Sequence, residues 1–247
     1  MQTRKRGVDL AMFKFKKEKE NQDQSGFMHV RRQILSPNSS FAVQEAYKTL
    51  RTNVRFFLRG TGCRKLCVTS GAAGEGKSIT LVNLAISVAE AGDKVLLIDG
   101  DLRRPALARL FVENPTPGLS NVLAGLVDWD EAIRKDMYPN LDVLFSGEIP
   151  PNPSELLGSE KMQELIDEMS KRYDYILVDT PPVNVVSDAC IAANLLDGVL
   201  ILVRKDRSRK DDIKRAVDSL RLTGAKPLGF VLNGVLLENR KKYGYYK

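Results

Sequence analysis

The chain has 247 residues, 43% of them hydrophobic, enough for one large α/β domain with a full core. No apolar run approaches the roughly 18 residues that span a bilayer, and residues 1–20 lack the apolar centre of a signal peptide. The net charge is +7, but residues 1–32 hold nine Lys/Arg against four Asp/Glu, so +5 lies there and only +2 in the body. That excess reads as a solvated tail or a weak membrane-surface element and argues against nucleic acid as a partner. Cys63, Cys67 and Cys190 are odd in number and lie in or beside apolar segments, which predicts buried reduced thiols in a cytoplasmic protein rather than disulfides or a metal site.

Residues 1–40 are polar and charged and are expected to form a flexible segment. The only histidine, His29, has no ligand partners in sequence and receives no catalytic role. From Phe41 to Leu58, Val43, Ala46, Tyr47, Leu50, Val54, Phe57 and Leu58 recur at three- and four-residue steps, which predicts a helix. Glu45, Lys48 and Arg51 share one face of it, where they could pair within the helix or with another subunit.

Leu66 to Ser70 reads as a buried strand, and it runs into Gly71-Ala-Ala-Gly-Glu-Gly-Lys-Ser78, which fits G-x-x-x-x-G-K-[ST]. Glycines let such a loop curl so that its N–H groups point at phosphate oxygens; Lys77 reaches the β and γ phosphates, and the Ser78 hydroxyl ligates Mg²⁺. A helix over 79–91 then places its positive end at the same anion. Gly71, Gly74, Glu75, Gly76, Lys77, Ser78 and Ile79 are the expected nucleotide-binding positions.

Val95 to Ile98 is a continuous apolar run, hence a buried parallel strand, ending in Asp99-Gly-Asp101. Residues 106–140 read as short helices and loops, with Trp129 packing into the core. Leu141 to Phe145 is a further strand. Ser154 to Arg172 reads as one amphipathic helix with Ser154 as its N-cap. Tyr175 to Asp179 is a second buried strand delivering an acid beside the phosphate loop, as Mg²⁺-binding enzymes do. Val199 to Val203, a helix over 211–222 and Gly229 to Asn233 complete the alternation, with Asn233 at a strand end placed to touch a base. The expected fold is an α/β, doubly wound, mostly parallel sheet flanked by helices. The tail, residues 240–247, carries Tyr243, Tyr245 and Tyr246 among basic residues and has no aliphatic side chain to bury them.

With those residues assembled, the sequence closely resembles the bacterial protein-tyrosine kinases of capsule and exopolysaccharide synthesis, in the form of the Gram-positive cytoplasmic kinase subunit. The likeness covers roughly 40–247. Those kinases carry a Walker A loop (here 71–78), an apolar motif ending D-x-D (here 96–101), a Walker B strand (here 176–179), an E-x-x-R-x-x-R helix and a C-terminal tyrosine cluster. Lys48 stands where the fourth motif has arginine, keeping the charge and losing the bidentate fork. The resemblance implies a P-loop fold of the partitioning-ATPase-like branch over 41–238, preceded by a leader that is native or activator-derived and followed by the tail at 239–247. It implies ATP and Mg²⁺ as cofactors, Ser78, Asp101 and Asp179 around the metal, and Lys77, Asp99 and Asp101 in catalysis, with Asp99 orienting or deprotonating the incoming tyrosine. Tyr243, Tyr245 and Tyr246 are then phosphoacceptors, and Glu45, Lys48 and Arg51 the contacts of a ring homo-oligomer. A membrane-embedded activator of the polysaccharide co-polymerase type would hold the protein at the inner face of the membrane, and a cognate tyrosine phosphatase would act on it. Two other readings are a partitioning or division-site ATPase, which would carry a signature lysine where this chain has Ala72, and a non-enzymatic nucleotide-dependent scaffold.

Overall fold

The computed structural model describes residues 34–60 and 62–235. The expectations for residues 1–33 of the leader, for His29 and for Tyr243, Tyr245 and Tyr246 lie outside the described residues; at the leader's end Leu35 is buried and its N–H donates to Asn83 Oδ1 at 2.7 Å.

Its elements run α1 (Phe41–Phe57), β1 (Arg64–Ser70), α2 (Lys77–Ala89), β2 (Val95–Asp99), α3 (Leu107–Phe111), α4 (Leu119–Leu123), α5 (Trp129–Ala132), β3 (Ile133–Tyr138) and β4 (Leu141–Leu144). The second half runs α6 (Pro153–Leu157), α7 (Glu160–Met169), β5 (Tyr175–Asp179), α8 (Asp188–Ala193), β6 (Gly198–Arg204), α9 (Lys210–Leu222) and β7 (Pro227–Asn233). The seven strands form one sheet in the order β3-β4-β2-β5-β1-β6-β7. Every pairing is parallel except β3 with β4.

β2 and β5 are buried at every position, which is why their sequences are unbroken apolar runs rather than alternations. Neighbouring residues still divide between two cores: Leu96 and Ile98 pack with α4, α7, α8 and α9 on one face, Val95 and Leu97 with α1, α2 and α3 on the other. α2 is enclosed on nearly all sides, whereas α1 lies over it and fully buries only Val54. The phosphate-loop strand β1 therefore sits between β5 and β6, and the loop, β2 and β5 all open at one end of the sheet, where open α/β folds bind ligands.

Three local expectations need correction. Residues 133–138, read as helix and loop, form β3, an edge strand whose Lys135 and Asp136 are exposed; its charge hides it in sequence and blunts the open edge. The single helix read over 154–172 is two, α6 and α7, separated at Gly158 and Ser159. Ser159 caps the second, accepting from the Met162 N–H at 3.3 Å, while Ser154 lies inside α6 and donates to Asp188 at 2.9 Å. α8 is not legible in the sequence, because its six residues show no helical period. Trp129 does pack against the core, and the three cysteines are free, with Cys67 and Cys190 buried. Burial pushes the Cys67 thiol up to about 12. Among the described residues, no helix is long and apolar enough to cross a membrane.

Candidate active site

The phosphate loop closes on left-handed backbone at Gly74 (φ +74°) and Gly76 (φ +97°), a region that only glycine enters without strain. Gly76 is the N-cap of α2, a 13-residue helix whose N-cap has no side-chain hydrogen bond, so the positive end of that helix opens at the loop. Lys77, the first residue of that helix, is only 8% exposed. Glu75, expected among the nucleotide contacts, is 1% exposed, and its carboxylate accepts from the Ser208 hydroxyl and from the Ala72 N–H at 3.3 Å. Asn233, expected at the base, donates its side-chain amide to the Glu75 carbonyl at 2.9 Å.

Facing the loop are Asp99 and Asp179, the last residues of the neighbouring strands β2 and β5, and Asp101, two residues past the end of β2. Asp99 and Asp179 are direct register partners across β2 and β5. Gly100 holds them there: its N–H donates to the Asp179 carbonyl at 2.9 Å, and a Cβ on it would lie 2.7 Å from that oxygen and 2.9 Å from Val178 Cγ1. Gly100→Ala is therefore expected to force the strand ends apart, costing about 1–3 kcal/mol in urea unfolding and lowering activity in parallel.

Asp99 Oδ2 accepts from the Ala106 and Leu107 N–H groups at 3.2 and 3.0 Å. Asp101 Oδ1 accepts from Arg104 N–H at 2.9 Å. Burial pushes the Asp99 carboxyl well above the usual range, and Asp179 and Asp101 push the same way against the Leu107 and Ala106 amides. Burial also raises Asp179, to about 6, against the nearby Lys77 ammonium and a hydrogen bond from Ser78. Asp99 Oδ1 and Asp179 Oδ1 are both buried and have no hydrogen-bond partner among the described residues. Two buried carboxylate oxygens without a protein partner, on neighbouring acids of which Asp179 lies beside Lys77 and Ser78, suit a hard cation and a hydroxyl donor.

Sequence reasoning missed the brace behind these acids. Arg103 Nε and a terminal guanidinium nitrogen donate to the fully buried Asp188 at 2.8 and 3.0 Å, and that nitrogen also reaches the Ser154 hydroxyl at 2.9 Å. This ties the loop after Asp101 to α6 and α8; only the position of Arg103 two residues past the acid could have signalled it. On α1, Glu45 and Lys48 pair with each other at 2.8 Å and are about half exposed, while Arg51 donates to the Ser87 carbonyl of α2 at 2.6 Å. A separate cavity of about 230 Å³, lined by Arg59, Arg64, Asp197 and Lys226 among others, lies at the opposite end of the strands and meets none of the loop or acid residues.

Residues 63–215 match the family described as an AAA domain. The chain is 41% identical to the tyrosine-protein kinase YwqD of Bacillus subtilis, an alignment covering 82% of this chain and 85% of that one. Among solved structures, the chimerical protein CapA2B2 superposes with a TM-score of 0.75 at 36% identity, over 80% of this chain and 86% of the other. The septum site-determining protein MinD of Pyrococcus horikoshii OT3, complexed with Mg-ADP, is more distant: TM-score 0.59 and 28% identity, over 69% and 70% of the two chains.

Proposed function

Because this chain belongs to the bacterial tyrosine-protein kinases of capsule and exopolysaccharide synthesis, we propose that it is an autokinase transferring the ATP γ-phosphoryl group to tyrosines in a neighbouring copy's tail. The observation that carries this reading is the pair of unsatisfied carboxylate oxygens, on Asp99 and Asp179, facing the phosphate loop. In this reading Lys77 and the loop amides hold the phosphates and offset charge that develops on them. Ser78 and Asp179 would hold Mg²⁺, with Asp101 supporting its shell; the bound ion supplies further charge neutralisation. Asp99 Oδ1 accepts the tyrosine hydroxyl proton as that oxygen attacks the γ-phosphorus in line and ADP departs. Burial raises the Asp99 pKa, which makes it a stronger proton acceptor when ionised than an exposed carboxylate.

Glu45, Lys48 and Arg51 form the contact face of a ring in this reading. The exposed Glu45–Lys48 pair contributes at most about 1 kcal/mol, so it can exchange for partners on a second copy at little cost. The description of the related CapA2B2 as chimerical fits a kinase that works with a second polypeptide, here an activator holding the protein at the inner face of the membrane. A cognate phosphatase would return the tail to its basic state. Each phosphotyrosine adds about −1.5 to −2, so three reverse the sign of a tail with four Lys/Arg in 240–247. That reversal would repel the tail from the acids of the site and end the assembled state. The likeness to MinD favours a second reading, an ATPase switch, although Ala72 occupies the place of that branch's signature lysine.

The test mixes a Lys77→Met chain with an active chain whose Tyr243, Tyr245 and Tyr246 are Phe. Phosphate is expected on the inactive chain's tail. If the active chain turns over ATP and the inactive tail stays unmodified, transfer between copies is wrong.

A further inference from the structure

The phosphate loop must keep its carbonyls turned outward for its amides to face the ligand, and glycine-rich backbone does not enforce this by itself. In a planar trans peptide the C=O and the following N–H point in opposite directions. Holding the Gly74 carbonyl outward therefore aims the Glu75 N–H inward, and holding the Glu75 carbonyl outward does the same for Gly76.

Both carbonyls are held, and from distant parts of the chain. Gly74 O accepts from one guanidinium nitrogen of Arg204 at 3.1 Å and one of Arg207 at 3.2 Å. Glu75 O accepts from Asn233 at 2.9 Å. The Glu75 side chain completes the arrangement. A carboxylate only accepts, so the Ser208 hydroxyl must donate to Glu75 Oε1, while its own oxygen accepts from the Arg204 N–H at 2.8 Å. The other oxygen, Oε2, accepts from Ala72 N–H within the loop, and the residue is 1% exposed. Arg207 also fills the space in which a Cβ on Gly74 would fall, 3.1 to 3.3 Å from its guanidinium atoms. The Lys205 N–H donates to the Asn233 carbonyl at 2.8 Å, so the turn between β6 and α9 and the end of β7 act as one piece.

We propose that this turn is a latch on the phosphate loop: Arg204, Arg207 and Ser208, acting through Glu75 and the loop carbonyls, are positioning residues that preset the nucleotide's phosphate cradle. None of them need touch the ligand. The inference rests on the nucleotide-binding reading above and adds which residues set its strength.

The experiment titrates a fluorescent N-methylanthraniloyl ATP with Mg²⁺ into the full chain and measures KM for ATP and kcat alongside. Ser208→Ala, and separately the double variant Arg204→Gln/Arg207→Gln, are expected to raise Kd and KM about tenfold, with kcat changed less than about twofold. Ser208→Thr, which keeps the hydroxyl, is expected to bind like the wild type. The latch is overturned if the first two variants bind as tightly as the wild type, if kcat falls while Kd stays, or if threonine fails to substitute for serine. A wild-type chain that binds no nucleotide would overturn the underlying reading, and the latch with it.

Discussion

Replacing Lys77 by Met is expected to lower tyrosine phosphotransfer by about 10²–10³-fold while leaving the fold intact. Lys77 is buried at the start of α2, and its ammonium opposes the rise in the Asp179 pKa, so it already acts on the charge of the site. Methionine has a similar unbranched length and fits where the lysine stem packs. Asp179, deprived of its cation, can relieve the loss by taking a proton, which limits the damage to stability. Radiolabel transfer with unfolding followed in parallel checks both halves. Retained phosphorylation would remove Lys77 from the mechanism, and an unfolded variant would make it a structural residue.

Asp179→Asn is expected to move activity and stability in opposite directions. The folded carboxyl titrates at about 6, above the ordinary 3.8. Between those values the folded chain binds more protons than the unfolded one, so stability falls as pH rises from about 4 to about 6 and stays reduced above. Asparagine cannot ionise, and it removes that slope. At pH 8 the nucleotide-free variant should melt higher, by about 2–4 °C for each kcal/mol recovered, while phosphotransfer falls by about 10²-fold. A variant that loses activity and melts lower would mean that the carboxylate serves the fold rather than the reaction.

What could be read from the sequence follows from how each element is buried. β2 and β5 are covered on both faces, so each announces itself as a short apolar run, and each ends in the acid that faces the loop. The loop is legible because its glycines and lysine are adjacent in the chain. β3 is not, since an edge strand carries charge and loses its alternation. The break between α6 and α7 depends on Gly158 and Ser159, which a helical period passes over. The braces are the least legible part. Ser208 meets Glu75 across 133 positions and Asn233 meets it across 158, and Arg103 finds Asp188 across 85. No local pattern encodes such pairings, so the sequence reads Glu75 and Asn233 as ligand contacts and is silent on the hydrogen bonds that Glu75 accepts from Ser208 and Asn233 donates to the Glu75 carbonyl.

The most direct test of the central claim is to incubate the purified chain with Mg²⁺-ATP and map phosphate by mass spectrometry. Phosphate on Tyr243, Tyr245 and Tyr246, and its absence in the Lys77→Met chain under the same conditions, is the result expected here. Hydrolysis of ATP to ADP and free phosphate, with no tyrosine of the chain ever modified, would contradict it and identify the chain as an ATPase switch.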